Sequence, residues 1–173
     1  TKSAKNTAIG RSALRNLNHT TATDAYNTAL GFNAGLSVTT GTSNNLIGGL
    51  AGDALTTGSF NQVLGVAALQ ADTKGSRAVA IGHGALLNQN FTTATDVYNV
   101  AIGHNAGLSV TTGIENVLIG GLAGDALTDA DFNIAVGTES LGSDTLGSKS
   151  VAIGGGALNA QNFTTATDTH NIA

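Results

Sequence analysis

The sequence predicts an all-β fold: a parallel β-roll solenoid whose coils are each about 17 residues long. Three observations carry this prediction. Glycine recurs at Gly10, Gly31, Gly48, Gly65, Gly82, Gly103, Gly120, Gly137 and Gly154, in steps of 21, 17, 17 and 17 residues and then 21, 17, 17 and 17 again. Each of these glycines closes a short apolar run, as in Ala8-Ile9-Gly10, Ala29-Leu30-Gly31, Ala80-Ile81-Gly82, Ala101-Ile102-Gly103 and Ala152-Ile153-Gly154. The composition also fits thin stacked coils: 24 Gly, no Pro, no Cys, no Met, no Trp, 41% hydrophobic residues and only 10% charged. Disordered chains show the reverse balance of charge and hydrophobicity.

The strand comes first in each coil. The residues just before the marked glycine read Val-Ala-Ile or a close variant, so both faces of the strand are apolar, most clearly in the later coils. Alternate residues of a strand face opposite sides, and a strand buried on both faces needs protein on both. One face looks into the coil. The other needs a neighbour, and the simplest neighbour is another copy of the chain. Ala8, Ile9, Ala29, Leu30, Ala80, Ile81, Ala101, Ile102, Ala152 and Ile153 are therefore the expected core and interface strands.

The turns follow. Three residues after each marked glycine stands an Ala, with Ser140 the one exception, so the wall there is expected to be close. Leu14, Leu69, Leu86, Leu141 and Leu158 come next and are expected in a second strand that closes a flat, two-sided roll. Four residues before the glycine, Asn6, Asn27, Asn44, Asn61, Asn99, Asn116 and Asn133 are placed to bond local backbone and to stack along the axis, with Ala78 and Ser150 as exceptions. Gly41, Gly58, Gly75, Gly113 and Gly147, replaced by Asp24, Asp96 and Asp168 in the long coils, are read as turn residues at positive φ.

The steps sum to a 72-residue unit, and whole phrases return with it: residues 34–41 reappear as 106–113. The chain is thus one repetitive domain, residues 1–173, with units at about 6–77, 78–149 and a partial 150–173. The four extra residues of each long coil fall in Thr20–Asp24, Thr92–Asp96 and Thr164–Asp168. At about 4.8 Å per stacked strand these lateral loops recur roughly every 19 Å. The chain starts at Thr1 and stops inside a repeat, which is the expectation for a piece of a longer protein.

Chemistry-bearing motifs are sparse. The seven bases form no stripe for nucleic acid. No apolar run reaches membrane-spanning length. Gly154-Gly155-Gly156 and Gly48-Gly49 lack the lysine and spacing of a phosphate loop, and Gly48–Asp53 lacks the nine-residue period of calcium-binding repeats. His19, His83, His104 and His170 are not at ligand spacing, although a histidine near a three-fold axis would form a ring. Asn18-His19-Thr20, Asn90-Phe91-Thr92 and Asn162-Phe163-Thr164 are sequons in register, and they are read as a repeated turn in preference to glycosylation sites. A threonine ladder, Thr39 to Thr145, raises ice binding, but its pairs are adjacent rather than alternating. No cluster of acids, bases or ligands interrupts the repeat, so no enzyme, cofactor or metal is expected.

The runs Asn6-Thr7-Ala8-Ile9-Gly10, Val79-Ala80-Ile81-Gly82 and Ser150-Val151-Ala152-Ile153-Gly154 resemble the head repeats of YadA-type trimeric autotransporter adhesins. They are also similar to the Asn-Thr-Ala-(Ile/Leu)-Gly regions of phage tail fibres. The resemblance covers essentially the whole chain. It implies a left-handed β-roll, three identical chains side by side, and a role in attachment at a virion or bacterial surface. Coils of 17 and 21 residues, longer than is usual in the adhesin heads, favour the phage-fibre branch. Under this reading the partners are two further copies and a cell-surface glycan or protein receptor. The receptor loops would be of the type Asn90, Phe91, Thr92, Thr93, Thr95 and Asp96. A passive extracellular filament is the competing reading.

Overall fold

A computed structural model describes residues 2–173 of the chain. It is a parallel β-solenoid, and no helix occurs among the described residues. Nine three-residue strands stack into one parallel sheet: Thr7–Ile9, Thr28–Leu30, Asn45–Ile47, Gln62–Leu64, Val79–Ile81, Val100–Ile102, Val117–Ile119, Ile134–Val136 and Val151–Ile153. Each strand pairs with those of the coils before and after it. The register is strict, so that Ile102 lies between Ile81 and Ile119. A bridge from Val151 to Ile172 starts a further turn.

Three-residue strands fix which side chains are inside. The central residue of each strand points into the coil, and Ala29, Leu46, Val63, Ala80, Ala101, Leu118, Ala135 and Ala152 are buried. The alanine column from Ala34 to Ala123 closes the opposite wall, fully buried. Ser140 fits the same place because its hydroxyl donates to the Gly137 carbonyl at 2.8 Å.

That opposite wall is not the continuous second strand the sequence suggests. Leu14, Leu69, Leu86, Leu141 and Leu158 sit in left-handed turns, with φ between 49° and 53°. Successive N–H groups there alternate in direction: Ala13 and Arg15 donate back to Gly10 and Ser12 of their own coil, whereas Leu14 and Asn16 donate to Ala34 and Leu36 of the next. The turn thus satisfies its backbone along the axis as a sheet would. Only two-residue strand pairs form on this side, at Ser3–Ala4 with Thr23–Asp24, Gly75–Ser76 with Thr95–Asp96, and Gly147–Ser148 with Thr167–Asp168.

Core volume is balanced between neighbours. Where a coil or the one after it carries Leu46 or Leu118 at its strand centre, the left-handed turn position carries glycine. A Cβ on Gly35 would lie 2.6 Å from Leu46 Cδ1 one coil on, and one on Gly124 2.7 Å from Leu118 Cδ2 of its own coil. Where both strand centres are small, as with Ala80 and Ala101, the turn carries a leucine, here Leu86. Large faces small across the coil, which keeps the interior at close-packed density.

The marked glycines have φ of 125–146°, a region closed to side chains. At Gly65 a Cβ would also fall 2.3 Å from the Gly82 carbonyl oxygen one coil on. The second glycine series differs from expectation. Gly41 and Gly58 are not at positive φ; a Cβ there would lie 2.3 and 2.1 Å from the carbonyl oxygens of Gly58 and Gly75. Close approach, not turn conformation, demands glycine. The left-handed residues come two positions later, from Lys5 and Tyr26 to Lys149 and His170.

The asparagines form the expected axial ladder. Oδ1 of Asn99 accepts from Asn116 N at 2.9 Å, and Oδ1 of Asn116 accepts from Asn133 N at 2.9 Å. From Asn27 to Asn133 each Nδ2 donates to a carbonyl of the next coil, as Asn116 does to Ala130 O at 2.8 Å, whereas Asn6 Nδ2 donates to Ala4 O and Ser3 Oγ of its own coil. At the lapses, Ala78 and Ser150, a second device takes over. Asp72 accepts from Gly75 N, Phe91 N and Gln89 Nε2, and Gln89 Oε1 accepts from Asn99 Nδ2. All three side chains are fully buried. Asp144 and Gln161 repeat the arrangement.

Asn116→Ala strips the partner from the Asn133 N–H and is expected to cost about 1–3 kcal/mol, read as a lower denaturant midpoint. Gly65→Ala combines forbidden φ with a backbone clash. It is expected to give no cooperative unfolding transition in the same measurement.

Candidate functional site

The outward face of the main sheet is the exceptional surface of this molecule. Odd-numbered positions around the marked glycine point away from the core: five, three and one residue before it, and one after. Twelve large apolar side chains are exposed among the described residues, and all twelve fall in these four columns. Tyr26, Phe60, Tyr98 and Phe132 occupy the first column. Ile134 and Ile172 occupy the second, Ile9, Leu30, Leu64 and Ile153 the third, and Phe32 and Val66 the fourth. The face is about 40 Å long at one strand per 4.8 Å.

The predicted interface residues are thereby divided. Ala29, Ala80, Ala101 and Ala152 are sealed in the core, with Ala8 below them in the exposed first coil. Ile9, Leu30, Ile81, Ile102 and Ile153 line the outward face. The column beside them changes character along the axis, from Thr7, Thr28, Asn45 and Gln62 to Val79, Val100, Val117, Ile134 and Val151. Its polar part bonds to itself, Asn45 Nδ2 donating to Gln62 Oε1 at 2.6 Å. The two central columns carry no charge.

Charge is confined to the borders. Arg77 lies between two rings, 5.0 Å from Phe60 and 5.9 Å from Tyr98. Lys5 covers Tyr26 at 5.2 Å, and Arg11 covers Phe32 at 5.6 Å. Tyr26, Phe32, Phe60 and Tyr98 therefore each have a cation over the ring while staying about half exposed. Lys5, Arg77 and Lys149 also pair with Asp24, Asp96 and Asp168 of the lateral loops. These pairs are exposed, so they orient the loops more than they stabilise the fold.

The lateral loops offer less than the sequence suggests. Phe91 turns inward and is buried, its N–H held by Asp72. It is not available to a receptor. Thr95 Oγ1 bonds back to Thr93 O, and Asp96 is engaged by Arg77. Asn90, Thr92 and Thr93 remain exposed. In the threonine ladder, Thr39, Thr56, Thr111 and Thr128 donate their hydroxyls to the carbonyls of the next coil. Those hydroxyls serve the stack, which counts against a face ordered to match ice.

Among the described residues no cavity opens, and no three His, Asp or Glu side chains converge. His19 is packed in the Phe91-equivalent place, and His83 and His104 stack on each other with centroids 5.3 Å apart. Sequence reasoning missed the Asp72–Gln89–Asn99 network and this histidine stack. A fixed offset of seven residues from the marked glycine, giving Asp72, Gln89, Asp144 and Gln161, was the signal available for the network.

Asp53 and Asp125 occupy equivalent half-buried places. Burial raises both carboxyl groups above the ordinary range, and nearby Glu139 adds to the effect on Asp125. Compared with known proteins, the chain matches no family model, no curated protein and no solved structure.

A carboxyl raised in the folded state favours folding when protonated, and that contribution is lost as pH rises through its folded value. Asp53→Asn is therefore expected to raise the melting temperature at neutral pH. The difference from the parent should close on acidification below the ordinary carboxylate range, as followed by thermal melts across pH.

Proposed function

We propose that this chain is a non-enzymatic segment of an extracellular attachment fibre, in which three copies pack through their outward sheet faces. The observation that carries this reading is the confinement of all twelve exposed large apolar side chains to that one face. A solenoid this thin has no second layer to cover it, and a contiguous apolar surface of this kind marks an interaction site. The uncharged central columns suit a buried contact, and the cations and carboxylates at the borders suit its rim.

The number three, the left-handed winding and the setting, a phage tail fibre or a bacterial surface adhesin, come from the resemblance of the Asn-Thr-Ala-Ile-Gly runs. Hiding about 40 Å2 of apolar surface per coil contributes roughly 1 kcal/mol, and stacking multiplies that along the fibre. The 72-residue unit then presents Asn90, Thr92, Thr93 and their equivalents at regular intervals on each of three edges, and many weak contacts with a surface glycan or protein add through avidity.

Two neighbouring substitutions separate folding from assembly. Ile102→Asp, on the outward face, is expected to keep the β circular-dichroism spectrum while the mass by analytical ultracentrifugation falls from three chains to one. Ala101→Asp, in the core, is expected to abolish the fold. A parent chain that sediments as a monomer, or an Ile102→Asp trimer as stable as the parent, would overturn the assembly. Attachment is tested separately by replacing residues 92–95 with glycine and serine. Loss of binding to host cells by an intact trimer is expected; unchanged binding leaves a passive filament.

A further inference from the structure

We propose that His83 and His104 form a two-imidazole clamp for a borderline divalent transition cation, of the zinc, nickel or copper kind. The proposal does not depend on the trimeric reading. It starts from register: Val79, Ala80 and Ile81 pair in order with Val100, Ala101 and Ile102. Two residues beyond each strand, the chain places one histidine directly above the other. The rings are 5.3 Å apart and within 11° of parallel. Both side chains are exposed, so a cation reaches them without an opening of the coil.

The same column holds Val66 on the coil before and Gly121 on the coil after, and the neighbouring strand residues are Ile81 and Ile102. The neutral Asn105 amide oxygen approaches Gly84 beside the pair. Arg77, Asp96 and Glu115 belong to the opposite border of the face. A donor set of imidazoles alone selects zinc, nickel or copper over magnesium and calcium, which need oxygen ligands. Metal–nitrogen bonds of about 2.0–2.1 Å place two nitrogens on either side of one ion at most about 4 Å apart. In a tetrahedral site the two nitrogens stand nearer ~3.3 Å, so the rings turn out of their stack and bring their edges together by roughly 2 Å, using the broad ring torsion of exposed histidines. Water completes the coordination.

Structural histidines on a β-face would show none of the resulting behaviour. The test is calorimetric titration of the full chain with Zn2+ alone, with melting curves recorded for every variant. The parent is expected to take up one Zn2+ per chain. His83→Ala and His104→Ala should each weaken uptake at least tenfold without altering the melt, whereas His170→Ala should leave it unchanged. Excess Mg2+ should not compete. Uptake should fall on acidification, because only deprotonated imidazole ligates. Absence of uptake by the parent would overturn the clamp. So would uptake by the His83→Ala/His104→Ala double variant equal to that of the parent, or equal losses in the His170→Ala control.

Discussion

Axial hydrogen bonding in strict register is the constraint from which the rest of this structure follows. Backbone groups of the strands and turns find their partners one coil away, as in Ile102 between Ile81 and Ile119, or Leu14 donating to Ala34. A chain held this way cannot adjust one coil without disturbing two others. Each column therefore repeats one conformation, whatever residue it holds. That is why 22 of the described non-glycine residues remain at positive φ, a conformation that costs roughly 1 kcal/mol or more for an ordinary side chain. The strain is tolerated because the neighbours on both sides fix the backbone.

The same constraint decides what could be read from sequence. The period was legible because the marked glycines and the alanine column stand where a Cβ or a larger side chain has no room. The asparagine ladder was legible because a polar residue that returns in coil after coil, with lapses only at Ala78 and Ser150, must be bonding along the axis. The left-handed turns were not legible. A leucine after an alanine is the ordinary mark of a strand, and nothing about Leu86 reveals that its neighbours hold it at φ 50°. The glycines at 41 and 58 were legible as special positions but for the wrong cause, since close approach and positive φ leave the same signature.

The candidate face was partly legible for a similar reason. Two apolar sides on one strand announced a second apolar surface, and alternation then assigns Ala101 inward and Ile102 outward. Three things depended on three-dimensional placement. Phe91 looked like a loop-tip aromatic, yet Asp72, nineteen residues earlier, anchors its backbone from within. The Asp72–Gln89–Asn99 chain joins three coils through residues that are unremarkable one at a time. Four cations spread along the sequence, Lys5, Arg11, Arg77 and Lys149, gather at the borders of the face, where they meet aromatic rings or the loop carboxylates.

Three-residue strands have one further consequence. One side chain enters the core and two face out, and no layer within the chain ever covers them. In a globular domain, added length is hidden inside, and the exposed fraction falls with size. Here each added coil brings its own uncovered pair, so greasy surface grows in direct proportion to length while the two ends stay constant. Under the assembly proposed above, the need for company along the side rises with every added coil, and a break in that company at one level leaves the levels above and below to hold it closed.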